Sequence, residues 1–190
     1  MKKCLIINLD RCTGCDTCVA SCKFENKVGL GRYWNHVITV GPFGTYPDLQ
    51  QYWVPMQCQQ CENAPCIEVC PTGASYRDPE TGVVLIDGDA CIGCQICMSA
   101  CPYDVRVLNE EANVVEKCTL CSHLAEGELP ACVTTCSTGA RFFGDLDDPE
   151  SDASKELAKY GEECIFALPD QGNAPATRYI LSPEIATWQE

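Results

Sequence analysis

The sequence predicts an α+β fold made of two related small modules, and three observations predict it. Sixteen of the eighteen cysteines in this 190-residue chain fall into four groups of four. The segment around the first group recurs 79 residues further on, Cys12 answering to Cys91. Short apolar runs rich in Val, Ile and Leu, bounded by Gly, Pro and Asp, alternate with the groups and read as small strands.

The groups are Cys12, Cys15, Cys18, Cys22; Cys58, Cys61, Cys66, Cys70; Cys91, Cys94, Cys97, Cys101; and Cys118, Cys121, Cys132, Cys136. The first and third have the spacing C-x2-C-x2-C-x3-C of the bacterial ferredoxin run. Three thiolates two residues apart wrap one corner of an iron–sulfur cube, and the fourth reaches a neighbouring cube. Two full runs and two variants, with no ligand missing, predict four-iron clusters. Disulfides do not require such triplets. A zinc-stapled interaction module, the better rival, explains C-x2-C pairs but not a third cysteine two residues on and a fourth three beyond that. A histidine-bearing centre would need two histidine ligands, and His36 and His123 are far apart in sequence. Cys4 and Cys164 complete no spacing and sit in apolar runs, so they are expected as buried structural thiols.

Composition narrows the function classes. A net charge of −14 argues against nucleic acid and anionic membrane surfaces as partners. The first ten residues do not read as a signal peptide. No apolar stretch reaches the length of a membrane span, and no lipidation box is present. There is no nucleophile elbow, Walker loop or G-x-G-x-x-G, so no catalytic site is predicted in the chain itself.

The repeat orders the elements. Ile7–Cys15 matches Ile86–Cys94, each an apolar run, an aspartate and C-x-G-C. The second and fourth groups both end in Cys-x-Thr-Gly-Ala, at residues 70–74 and 136–140. Leu5–Leu9 and Val83–Ile86 are expected as strands leading into cluster loops. Gly14 and Gly93 let the backbone turn tightly there. Val19–Ser21 and Met98–Ala100 suit short helices carrying the fourth ligand, with Pro71 and Pro102 stopping helices. Residues 78–82 read as a turn between strands 75–77 and 83–86. Lys23–Met56, rich in Gly, Pro and aromatics, reads as an ordered excursion over the cluster core. A helix is expected to run to Tyr160 with Pro149 at its first position and Gly161 past its end. Strands are expected at 164–168 and 176–181.

The order and spacing of the four groups, with Lys117–Cys121 and Arg141–Pro149, resemble the electron-transfer (beta) subunits of the dimethyl sulfoxide reductase superfamily of molybdopterin oxidoreductases. The resemblance covers roughly residues 4–182. It implies that groups one and four pair, and groups two and three. One cube would take Cys12, Cys15, Cys18 and Cys136, and a second Cys118, Cys121, Cys132 and Cys22. A third would take Cys58, Cys61, Cys66 and Cys101, and a fourth Cys91, Cys94, Cys97 and Cys70. The fold class is then α+β with two pseudo-symmetric ferredoxin-like modules, each holding two [4Fe-4S] clusters. Residues 1–57 and 113–146 would form the first module, 58–112 the second and 147–190 a C-terminal extension. The resemblance implies a non-catalytic subunit of a heterodimer in anaerobic metabolism. It would relay electrons between a molybdopterin catalytic subunit and a redox partner, either a membrane anchor or a soluble donor. Molybdopterin itself would sit only in the catalytic partner, and the Cys12 cube would lie nearest to it. The whole complex would be of reductase, dehydroxylase or transhydroxylase type. It would be cytoplasmic, or exported folded with a signal-bearing catalytic partner. A freestanding polyferredoxin is the alternative.

Overall fold

The computed structural model describes residues 2–185. The chain opens with β1 (Lys3–Asn8), whose Cys4, Leu5, Ile6 and Ile7 are completely buried. An unbroken apolar run is what a strand covered on both faces needs. After a 3₁₀ turn comes α1 (Thr17–Glu25), entered through Asp16 in the left-handed region at φ 57°. It carries Cys18 and Cys22, one helical turn apart and both buried. Next is a long hairpin, β2 (Asn35–Phe43) and β3 (Gln50–Gln57), antiparallel with His36 opposite Met56 and an irregularity between Val40 and Phe43. The excursion expected over 23–56 is therefore mostly this hairpin, which its Pro and Gly content had hidden. Val54 and Met56 root it in a core shared with Leu5, Leu9, Tyr103 and Tyr179.

The middle of the chain is made of very short elements: α2 (Pro65–Glu68), β4 (Ser75–Arg77), β5 (Val84–Ile86), α3 (Ile96–Ser99), β6 (Arg106–Asn109), β7 (Val114–Lys117) and α4 (Ala131–Thr134). β4 pairs antiparallel with β5 across the expected turn, and β6 pairs with β7. α2, α3 and α4 each hold one buried cysteine: Cys66, Cys97 and Cys132. Pro65 at the first turn of α2 and Pro130 just before α4 supply the helical φ without wasting a donor.

β8 (Arg141–Asp145) then pairs antiparallel with β1, and α5 (Asp152–Leu157), β9 (Ile165–Phe166) and β10 (Arg178–Ile180) complete the described chain. β10 runs parallel to β1, giving a four-stranded sheet in the order β8-β1-β10-β9. The tail closes the sheet that the N-terminus begins. The expected helix is shorter than read from sequence. Its cap is Ser151, whose Oγ accepts from the Ser154 amide at 3.2 Å, so Pro149 lies in the turn before it. The two tail strands are also shorter than the apolar runs that announced them. Among the described residues no helix is long and apolar enough to cross a membrane.

The two extra thiols differ. Cys4 is fully buried beside Ile6, Ala153, Ala176 and Ile180. Burial, opposed by Arg178, pushes its thiol up to about 12. Cys164 is only partly buried, which corrects the expectation for it; it sits in a 3₁₀ turn that faces solvent on one side. At pH 8 about one Cys4 in ten thousand would be thiolate, since reactivity follows the thiolate fraction. Iodoacetamide is therefore expected to label Cys164 in the native protein and leave Cys4 unlabelled until the chain unfolds. Peptide mass mapping reads this directly, and native labelling of Cys4 at a rate matching Cys164 would refute the buried environment.

Candidate metal centres

The sixteen grouped cysteines line four separate cavities, each with about 330–360 Å³ of empty space that opens partly to solvent. Cys12, Cys15, Cys18 and Cys136 face one cavity. Cys22, Cys118, Cys121 and Cys132 face the second. Cys58, Cys61, Cys66 and Cys101 face the third. Cys70, Cys91, Cys94 and Cys97 face the fourth. In every case three thiols come from one sequence group and one from another. None of the grouped cysteines is left outside a cavity.

Local backbone geometry explains how three neighbouring cysteines turn toward one centre. Gly14 and Gly93 lie at φ +64° and +66°, and the second residue after each, Asp16 and Gln95, is left-handed too. Gln60 and Leu120, each just before the second cysteine of its group, repeat the device at +51° and +54°. Bends of this kind turn amides toward sulfur. The amides of Ser75 and Ala140 each donate to Cys70 and Cys136 Sγ at 3.3 Å, and those of Val115 and Leu120 to Cys91 and Cys118 at 3.5 Å. In the two Cys-x-Thr-Gly-Ala segments, Thr72 and Thr138 hydroxyls come within 3.8 and 3.7 Å of Cys70 and Cys136 Sγ.

The thiols divide by environment. Burial pushes Cys22 up to about 12 and Cys61 to about 11, and it raises Cys118 well above the usual thiol range. At Cys70 and Cys136 the same desolvation is outweighed by the amide and threonine donors, and both thiols are held below the usual range. Thr17, through its hydroxyl and amide, holds exposed Cys15 at about 7. Metal ligands must be deprotonated, so binding iron at the buried thiols would displace their protons to solvent.

Four polar side chains that sequence reasoning missed reach these sites. Asn26 Nδ2 lies 3.7 Å from both Cys22 and Cys121 Sγ. Asn173, from the tail, donates to Cys61 Sγ at 3.1 Å and to the Tyr103 hydroxyl at 2.8 Å. Arg106 and Arg141 line cavities as well. The arginines carried a signal: each stands five residues after the last cysteine of its group. Asn173 carried none. His123 meets Glu25 Oε1 at 2.9 Å near the surface.

The cavities follow one another. Arg141 borders both the Cys12 and the Cys118 cavities, and Arg106 both the Cys58 and the Cys91 cavities. Lys117, 2 % exposed, bonds to the carbonyls of Val84 and Cys118 and so links the Cys58 wall to the Cys118 wall. The row runs Cys12, Cys118, Cys58, Cys91. Its two ends carry the only exposed cysteines among the described residues, Cys15 and Cys94, which are repeat equivalents.

Two family models, both described as a 4Fe-4S dicluster domain, match residues 4–71 and 49–146. A relative from Halobacterium salinarum, named as an iron-sulfur subunit of a dimethyl sulfoxide reductase, is 43% identical across 93% of this chain and 78% of its own length. A sulfite dehydrogenase subunit of Allochromatium vinosum is 39% identical, covering 93% of this chain and 81% of itself. The iron-sulfur subunit of an arsenate respiratory reductase from Shewanella sp. strain ANA-3 is 34% identical, covering 98% and 99%. The chain belongs to this family of 4Fe-4S dicluster electron-transfer subunits. The donor set fits the family's cofactor: thiolates only, four to a cavity, with amide and hydroxyl donors aimed at sulfur. In such a subunit the chemistry belongs to the cofactor, and the protein contributes ligands, burial and hydrogen bonds to sulfur.

Proposed function

We propose that each cavity takes one [4Fe-4S] cluster and that the chain is a four-cluster relay serving a molybdopterin catalytic subunit. The observation that carries this reading is the matched lining: four cavities of near-equal volume, each with four cysteine thiols. The ligand sets are Cys12, Cys15, Cys18, Cys136; Cys22, Cys118, Cys121, Cys132; Cys58, Cys61, Cys66, Cys101; and Cys70, Cys91, Cys94, Cys97. The first two sets belong to one ferredoxin-like module, formed by residues 1–57 and 113–146. The last two belong to a second module, residues 58–112, nested inside it. The β6–β7 hairpin joins the modules, and the tail from 147 onward extends the outer one through β10. Each bound cluster supplies one-electron chemistry. The protein's own part is to hold the irons by sixteen thiolates, to donate hydrogen bonds to sulfur, and to keep the two middle sites dry.

The catalytic subunit docks at the Cys12 end. Val37 and Pro55 of the long hairpin form part of the Cys12 cavity wall. Between the first cysteine group and the end of this hairpin the chain also carries Phe24, Leu30 and Tyr46, which are 90, 98 and 89 % exposed, and exposed apolar side chains of this size suit a partner contact. The Cys91 end faces the second redox partner, a soluble donor or a membrane-anchored one.

Iron and acid-labile sulfide on anaerobically purified protein test the first claim, with about sixteen irons per chain expected. A value near eight in fully loaded material would mean that half the groups hold something else, and zinc without sulfide would establish the interaction-module reading. The crossed ligands give a sharper test. Cys136→Ser should remove or convert the cluster of Cys12, Cys15 and Cys18, and Cys22→Ser the cluster of the fourth group. Loss of the fourth-group signal in Cys136→Ser would overturn the assignment. Recovery of the native protein alone, at monomer mass, would favour the freestanding polyferredoxin.

A further inference from the structure

Each half of the row holds one buried arginine that the relay does not need as a ligand. Arg106 and Arg141 are 3 and 4 % exposed. Arg106 borders both cavities of the inner pair, and Arg141 both cavities of the outer pair. Among the described residues neither meets a carboxylate within ion-pair distance. Each makes one hydrogen bond to a neutral oxygen: Arg106 Nη2 to Ser75 Oγ at 2.9 Å, and Arg141 Nη2 to Gln57 Oε1 at 3.0 Å. Arg106 Nη1 and Arg141 Nε and Nη1 find no oxygen or nitrogen acceptor.

A buried guanidinium without an anion is strongly destabilising, and arginine does not escape by losing its proton. Two of them, one in each half of the row, point to negative charge at the cavities themselves.

We propose that Arg106 and Arg141 are positioning residues for electron transfer, each a fixed positive charge shared by the two clusters on either side of it and setting both their potentials. This rests on the four-cluster reading above. A cluster gains one negative charge when it takes one electron. A cation at its wall therefore favours the reduced form, more so where water is excluded. Each arginine thus raises the potentials of both clusters in its own half and acts much less on the other half.

The test is a potentiometric titration of the full-length loaded protein followed by electron paramagnetic resonance, in Arg141→Gln, Arg141→Lys, Arg106→Gln and Arg106→Lys. Arg141→Gln is expected to move two of four midpoints to lower potential and leave two in place. Arg106→Gln is expected to move the complementary pair. The lysine variants keep the charge and should retain most of the wild-type potential. Full iron content with all four midpoints unchanged in both glutamine variants overturns the proposal. So does an equal shift in the lysine and glutamine variants, which would mark a packing role only. If a glutamine variant fails to load, the lysine variant at that position decides, because a loaded Lys variant with its pair at strongly lowered potential also overturns it. A wild-type iron count near eight would instead sink the four-cluster reading, so the two failures are distinguishable.

Discussion

Stripping iron from the loaded protein with a chelator under mild oxidation is expected to unfold it, not only to bleach it. The reason lies in how little of the inner half could stand without the sites. α2 and α3 are four residues long, whereas isolated helices shorter than roughly 12–15 residues are marginal in water. β4 and β5 are three residues each and pair only with one another, and a lone two-stranded hairpin is marginal as well. The hydrophobic cores of both halves count cysteines among their buried members: Cys18, Cys58, Cys118 and Cys132 in one, Cys66 and Cys97 in another. Empty, each of the four cavities would bring four thiols together around space with nothing to pack into it. Loaded, each becomes four metal–sulfur bonds tying two sequence groups together, and binding free energy becomes folding free energy. Visible absorbance and far-ultraviolet circular dichroism should therefore fall together during chelation. Bleaching that leaves the dichroism intact would show that the polypeptide supports its own fold.

The same dependence on the sites explains what the sequence disclosed and what it did not. The cysteine spacing constrains local loop geometry, because a C-x-G-C turn has few conformations once glycine takes the left-handed one, and Gly14 and Gly93 both do. The hairpin at 75–86 was legible because Asp78–Gly82 is turn chemistry leading into the β-branched run Val83–Ile86. Lys23–Met56 was not, because Gly41, Pro42, Gly44 and Pro47 interrupt it, and such residues usually demote a strand. They fall at the irregular far end of the hairpin, beyond Val40. The role of the tail was hidden for another reason. Pairing of β10 with β1 joins residues about 170 positions apart, and nothing local in Arg178–Ile180 names its partner. Asn173 beside Cys61 is a consequence of that pairing and shares its invisibility.

A glycine can be required for its backbone freedom or for the space it leaves, and alanine variants at three positions separate the two. Gly14, Gly93 and Gly139 all have positive φ, at +64°, +66° and +60°. Alanine there costs about 1–2 kcal/mol for the left-handed conformation alone. At Gly139 a Cβ would meet nothing within 4 Å, so that strain is the whole expected cost. At Gly14 a Cβ would clash with the Trp53 indole, 2.5 Å from Nε1. At Gly93 it would lie 2.6 Å from the Asn113 carbonyl oxygen as well as against that residue's side chain. Overpacking of this kind adds about 1–3 kcal/mol. The indole can swing away and a backbone carbonyl cannot, so the order of damage should be Gly139→Ala, then Gly14→Ala, then Gly93→Ala. The site should register the same order. Trp53 belongs to the hairpin that walls the Cys12 cavity, and Asn113 sits in the β6–β7 turn against the Cys91 loop, where its Nδ2 reaches the Ile92 carbonyl at 3.4 Å. Thermal unfolding with iron content measured on the same samples reads both effects. Gly14→Ala and Gly93→Ala should lose iron from opposite ends of the row, seen as loss of different resonance signals. Equal midpoints for all three variants would mean that only backbone strain matters and that neither Trp53 nor Asn113 holds its loop in place.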